Sequence, residues 1–238
     1  MNWKDRYRSF YYQGLVDIPD IHLSRIETAL LVIDVQNIYF SNTADIENTV
    51  EERMDWMRWA PFRERMAKVV IPTASRMLDY FRSHAMEVFF ARIATLKHDG
   101  RDRSLSQKRP GFNNILLPKD DSASQIVDAL KPLPDEIVVT KTTDSALTGT
   151  NLRLVMHNMG IKNVVVVGIF TDQCVSSTVR SLADESFNVV VLDDGCASAT
   201  DDLHGKELEI LNNIYCQVME SNDVISILEE GAVCPARN

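Results

Sequence analysis

The sequence predicts an α/β fold, a parallel sheet with helices on both faces, and two observations carry that prediction. Three short runs, TALLVIDV (28–35), EVFFARIA (87–94) and NVVVVGIF (163–170), are β-rich and almost unbroken in apolar residues, the pattern of strands buried on both sides. Segments with helical spacing alternate with them, and that alternation builds parallel sheets. The 238 residues, 45% of them hydrophobic, suffice for one sizeable core, so residues 1–238 are read as a single domain whose first 25 residues form an N-terminal extension.

The elements follow in order. After the first strand (28–35), the segment ENTVEERMDWMRWAPFRERM (47–66), with two tryptophans, reads as a lid or interface element, and Pro61 opens a helix over 61–83. The second strand (87–94) runs into the charged stretch KHDGRDRSLSQKRPGFNN (97–114), a long loop at the carboxyl edge of the sheet, where ligands of such folds bind. A helix over 123–130, a strand EIVVTK (136–141) and a helix over 148–158 precede the third strong strand (163–170). Helix 174–186, strand NVVVLDD (188–194), helix 203–217 and a last strand DVISIL (223–228) complete the series.

Composition excludes several functions. A formal charge of −9 and a pI near 5.1 leave no basic patch for nucleic acid or anionic lipid and fit a small-molecule partner. The N-terminus lacks the unbroken apolar segment of a signal peptide, and no later stretch reaches the about 18 apolar residues of a membrane span, so no membrane contact is expected and the cytoplasm is the expected location. Cys174, Cys196, Cys216 and Cys234 form no CxxC pair, so free thiols are expected, neither a disulfide framework, a zinc site nor a redox pair. No G-x-G-x-x-G follows a strand, which removes the nucleotide-binding reading.

Reactive groups of open parallel sheets collect beyond the carboxyl ends of strands, and three residues stand there. Asp34 ends LLVID, Lys141 ends IVVTK, and Cys174 follows VVVVGIF at the start of a helix. Taken singly, each has a plain reading: a small buried hydrophobe for the cysteine, a turn or cap for the aspartate, a solvated end group for the lysine. Taken together they form a set with complementary roles. A helix N-terminus and a nearby lysine favour a thiolate, an aspartate can shuttle its proton, and backbone N–H groups can face a developing oxyanion. Cys196 and Cys216 lie in small or apolar settings and are read as core.

These segments resemble a known family. LLVIDVQNIYF looks like the Asp-x-Gln opening of the isochorismatase-like cysteine hydrolases, VVTKTTDSALTGTNL like their lysine segment, and VVVVGIFTDQCVSSTVRSLADESFNVVVLDDGCAS like their nucleophile segment; the likeness runs from about residue 26 to 228. It implies a three-layer α/β/α, Rossmann-like fold with a six-stranded, mainly parallel sheet, a homodimer or homotetramer, and an Asp34–Lys141–Cys174 triad. It also implies a cis peptide at Ile169–Phe170 and an oxyanion hole from the amides of Phe170 and Cys174. The reaction implied is hydrolysis of a small amide or ureide through a thioester, with no cofactor and no metal: TLKHDGRD has one histidine and none of the Asp-x-His of nicotinamidases.

The nucleophile segment looks most like those of ureide and carbamoyl-amide hydrolases such as ureidoacrylate amidohydrolase, N-carbamoylsarcosine amidase and biuret hydrolase. Nicotinamidase-like or maleamate-type amidases, and a non-catalytic metabolite-binding member, are the alternatives. Gln36, Asn37, Phe40 and Thr171 are the expected substrate-binding residues, with Tyr39, Trp56 and Trp59 as further candidates to line the pocket. For Gln36 a structural hydrogen bond to a loop is an equal reading, and for the aromatics plain core packing. Arg101, Arg103, Lys108 and Arg109 of the 97–114 loop offer cations for a substrate carboxylate. The chain departs from the family pattern at Leu147, where relatives often carry Phe, and in its first 25 residues.

Overall fold

A computed structural model describes residues 3–15, 18, 19, 21–40 and 49–233; Cys234 lies outside the described residues. The strands are β1 (Thr28–Ile33), β2 (Glu87–Ile93), β3 (Ile137–Lys141), β4 (Asn163–Ile169), β5 (Asn188–Ala197) and β6 (Gln217–Met219). They form one six-stranded sheet in the order β3-β2-β1-β4-β5-β6, and every neighbouring pair is parallel. From β1 the chain builds outward through β2 and β3, then crosses to β4 on the other side. The carboxyl ends of β1 and β4 therefore flank a crevice at the point where strand order reverses, the ligand-binding position of open α/β sheets.

Both faces of the sheet are buried, which is why its strands read as unbroken apolar runs. Leu30 and Val32 of β1, Val165 and Val167 of β4, and Val190 and Leu192 of β5 join one cluster with Met66, Val70, Met77 and Phe81. The alternate residues Leu31, Ile33, Val164, Val166, Val189 and Val191 join the other with Leu152, Met156, Val179, Leu182 and Leu208. Each such side chain contributes about 1.5–3 kcal/mol relative to an exposed one.

On the first face the expected helix 61–83 is broken into pieces. Helix α1 (Val50–Arg58) starts with a capping box between Thr49 and Glu52. Helix α2 (Ala60–Arg65) has Pro61 in its first turn, and α3 (Ile71–Ser83) has Pro72 in its own. Pro72 has no N–H to return to the preceding turn, and Met66–Val70 is wound as a wider π turn. Thr73, Ala74, Met77, Leu78 and Phe81 then form the buried stripe of α3. The other face carries α4 (Leu152–Asn158), α5 (Ser176–Asp184) and α6 (Asp201–Leu211).

Two expectations are corrected. Residues 123–130 are no α-helix but two 3-10 turns, Ser122–Ser124 and Asp128–Leu130, with Ile126 bridged antiparallel to Gln36 between them. The backbone bonds here go to the chain after β1: Val127 N–H donates to Val35 O at 3.0 Å, and Asn37 N–H to Gln125 O at 2.9 Å. Ile126, Val127 and Leu130 enter the core from this irregular chain, so their helix-like spacing is misleading. Residues 223–228 are not a strand either. They belong to α7 (Ser221–Val233), with Val224 and Leu228 buried one turn apart. The sixth strand is Gln217–Met219, which starts at the last residue of the expected helix 203–217, because α6 stops at Leu211. There the Asn212 side chain accepts from Val218 N–H at 3.0 Å and donates to Arg6 O at 3.0 Å, turning the chain back to the sheet.

Gly168 sets the geometry at the mouth of the crevice. Its φ is +131°, and a Cβ there would lie 2.0 Å from Ile33 O. Only glycine lets β4 pass β1 at that distance. The Ile169–Phe170 peptide that follows is cis, as the family resemblance implies.

Candidate active site

Asp34 leaves β1 with a left-handed φ of +54°, a conformation that aspartate tolerates better than most residues, and its N–H donates to Ala91 O at 2.9 Å. Lys141 is the last residue of β3. Cys174 sits in the π-helical turn Thr171–Val175 that joins β4 to α5. The three side chains meet: Lys141 Nζ is 2.6 Å from Asp34 Oδ2 and donates to Cys174 Sγ at 3.2 Å. Its third partner is Thr143 O at 3.2 Å, so all three ammonium protons have acceptors. With Lys141, Asp34 and Cys174 exposed by only 0%, 1% and 7%, the ion pair is held without water, where an unpaired charge would be very costly.

Burial and charge pull the Cys174 thiol in opposite directions. Burial pushes the Cys174 thiol well above its ordinary range; Lys141 opposes this, while Asp34 and Asp144 push the same way. Desolvation thus favours the protonated thiol and works against the thiolate preference that the helix terminus and the lysine supply. Burial also lifts the Asp34 carboxyl against the pull of Lys141. For Lys141 burial acts downward, but Asp34 and Cys174 outweigh it and the net direction is up. Alkylation of Cys174 by iodoacetamide is accordingly expected to be slower at neutral pH than that of free cysteine and to rise only through pH values above the ordinary thiol range. A stopped-time mass-spectrometric pH profile checks this, and fast labelling at pH 7 contradicts it.

The triad opens on a small cavity of about 30 Å³ lined by Asp34, Cys174, Phe170, Asp144, Gln107 and Arg103, among others. The four expected substrate-binding residues do not line it. Gln36 is fully buried and spends its amide on backbone, donating to Ile93 O at 2.9 Å and Ser124 O at 2.8 Å and accepting from Ile93 N–H at 2.9 Å. It clips β2 to the irregular 122–130 chain. Asn37 donates to Ser122 O at 2.9 Å. Phe40 stacks on Phe62 with centroids 6.3 Å apart, and Thr171 is buried against His204. Tyr39 does line the cavity, and Trp56 and Trp59 line a larger one beside it.

Asp144 was not anticipated. It lies 3.8 Å from Cys174 Sγ and accepts from Gln107 Nε2 at 2.7 Å; the signal was an acid three residues after the lysine in KTTDSA. Of the four loop cations Arg103 reaches the cavity, where Nε donates to Gly100 O at 3.2 Å and Nη1 to Gln107 O at 3.0 Å and Ile115 O at 3.0 Å. Those bonds stitch the loop over the site. Among the described residues, no three His, Cys, Asp or Glu side chains gather as a metal-ligand set, and no helix is long and apolar enough to cross a membrane.

An Isochorismatase domain profile matches residues 28–223, which hold β1 through β6 and all three triad positions. The chain belongs to the isochorismatase family. Among relatives of this isochorismatase-family chain, the ureidoacrylate amidohydrolase of Agrobacterium fabrum is 30% identical over 187 residues, covering 73% of this chain and 77% of that protein. A cysteine hydrolase from Pseudomonas syringae pv. phaseolicola shares the fold with a TM-score of 0.74 at 19% identity, over 89% of this chain and 97% of the other. The N-carbamoylsarcosine amidase of Thermoplasma acidophilum does so with a TM-score of 0.60 at 21% identity, over 82% and 97%.

Beneath the turn that carries Cys174 in this family member lies a second polar cluster. Thr171 Oγ1 is 2.8 Å from His204 Nδ1, and His204 Nε2 is 3.0 Å from Asp193 Oδ1. Arg65 donates to Asp193 O at 2.8 Å, and the N-terminal extension adds Tyr7, whose hydroxyl donates to Asp193 Oδ2 at 2.9 Å, together with Arg6, paired with the same carboxylate. Although burial acts upward on Asp193, His204 and Tyr7 bring its carboxyl below the usual range. The cluster ties the extension to the turn that carries Cys174. Cys196 and Cys216 are free and buried, and burial pushes the Cys196 thiol up to about 12.

Proposed function

We propose that this chain is a cysteine amidohydrolase that cleaves a C–N bond, other than a peptide bond, in a small amide, ureide or carbamoyl compound. The observation that carries the reading is the buried chain of contacts from Asp34 through Lys141 to Cys174, 2.6 Å and then 3.2 Å, at the mouth of the β1/β4 crevice. As Cys174 Sγ attacks the substrate carbonyl, its proton passes to Asp34, and the carbonyl oxygen becomes an oxyanion received by the amides of Phe170 and Cys174. Collapse breaks the C–N bond, Asp34 returns the proton to the departing ammonia or amine, and a thioester remains. Water then adds to the thioester, giving a proton to Asp34. The acid product leaves as the S–C bond breaks and the thiol is restored. Lys141 stays protonated throughout and keeps Asp34 ionised between transfers. The 30% identity to a ureidoacrylate amidohydrolase supports the amide class.

Ammonia release from biuret, N-carbamoylsarcosine, ureidoacrylate, maleamate and nicotinamide tests the proposal, with intact-protein mass spectrometry to catch the acyl-enzyme. Release that needs Cys174 and passes through an adduct on it is the expected result. Release that persists in Cys174→Ala, or substrate consumption with no adduct on the sulphur under rapid quench, would sink it.

A further inference from the structure

The catalytic cavity holds the reacting group and little else. About 30 Å³ is space for one or two water-sized groups, enough for a carbonyl and its nitrogen. The rest of a larger substrate must extend outside, and one route is built for it. A second cavity of about 720 Å³ shares Tyr39, Ile115 and Phe170 with the first, so the two adjoin at these three residues. That volume falls within the range of ligand pockets for ring-bearing molecules.

The walls of the outer cavity are aromatic. Trp59 and Phe112 stack with centroids 5.1 Å apart and planes at 18°, and Phe170 meets Trp59 at 5.9 Å and Phe112 at 5.4 Å. Trp59 comes from the turn between α1 and α2, Phe112 from the 97–114 loop and Phe170 from the end of β4. Three separate segments thus present ring faces and edges to one space. Among the described residues its charged lining is acidic: Glu51, Glu52 and Asp55 against a single cation, Arg63. That cation is occupied, its guanidinium lying 3.4 Å from the Trp56 ring centroid and donating to Trp56 O at 2.5 Å. An anionic substituent would meet three carboxylates there, whereas a neutral ring stacks and a cationic one gains from both the rings and the acids.

We propose that the substrate is an amide or ureide bearing an aromatic ring, uncharged or cationic, whose carbonyl reaches Cys174 while the ring occupies the outer cavity against Trp59 and Phe112. This rests on the cysteine amidohydrolase reading for the inner site alone; the outer preference is a property of binding.

Isothermal titration of the Cys174→Ala protein separates the two. The probes are 2-phenylethylurea, methylurea and 4-(ureidomethyl)benzoate. Phenylethylurea is expected to bind at least about tenfold tighter than either of the others, and Trp59→Ala in the same background is expected to remove that preference. Phe112→Ala, at a residue 44% exposed, serves where Trp59→Ala fails to fold. Equal binding of the three, tighter binding of the benzoate, or binding of none overturns the inference, and hydrolysis of small ureides by wild type then still stands. Ring-selective binding without Cys174-dependent hydrolysis of any ureide overturns the amidohydrolase reading instead.

Discussion

Replacing Cys174 by alanine is expected to abolish turnover, by about a hundred-thousandfold or more, while leaving the fold intact. The residue is buried and small, and its sulphur meets Lys141 at 3.2 Å and, weakly, Asp144 at 3.8 Å. Removing it leaves the Lys141–Asp34 pair in place and creates a space too small to cost more than about 1 kcal/mol. Burial pushes the thiol up against the pull of Lys141, and the variant leaves the charges of Lys141 and Asp34 paired with each other. Chemical denaturation of both proteins, run beside ammonia release from a substrate the wild type cleaves, checks the two halves of the statement. A variant that turns over at wild-type rate would remove Cys174 from the chemistry; one that unfolds would make it a packing residue.

Lys141→Met is expected to lose both activity and stability, and the two losses have different causes. Lys141 is fully buried and holds Asp34, Cys174 and Thr143 O at once. A methionine of similar length fills the space but leaves the Asp34 carboxylate unpaired in the interior, a loss of about 3–5 kcal/mol. Without the lysine, the largest pull against the burial that already raises Asp34 is gone and only the hydrogen bonds from Cys174 and Ile93 N–H oppose it, so its folded carboxyl titrates still higher than in the unfolded chain. Such a group adds no penalty below its unfolded pKa, and stability falls as pH rises from that value through the folded one. The variant should therefore approach wild-type stability at about pH 4 and show its full deficit at about pH 8. The double variant Lys141→Met with Asp34→Asn should regain most of the stability at pH 8 and none of the activity. A pH-independent deficit would show that packing, not the stranded charge, is responsible. Turnover should fall about a thousandfold or more in the single variant, because Asp34 can no longer be kept ionised between proton transfers.

The sequence alone determined the sheet and the places of Asp34, Lys141 and Cys174 at its carboxyl edge. TALLVIDV, EVFFARIA and NVVVVGIF are strands because a sheet buried on both faces leaves no polar alternation to blur the signal, and Asp34, Lys141 and Cys174 end or follow such runs. Their convergence is a consequence of parallel topology, which gathers strand carboxyl ends on one edge whatever the intervening chain does. Tertiary structure decided the rest. A run of six residues such as DVISIL fits either a strand or a turn and a half of helix, and it is α7 because Val224 and Leu228 find the core one turn apart while Gln217–Met219 takes the sheet edge. Gln36, Asn37, Phe40 and Thr171 lie beside catalytic residues in sequence but face backbone or core, since side-chain direction around an irregular turn is set by the partners that satisfy it. Asp144, Gln107 and the aromatic walls from three segments become one site only after folding. The upward push on the Cys174 thiol belongs to the same class: a lysine neighbour is legible in the sequence, but desolvation, which opposes it, is a property of the packed interior.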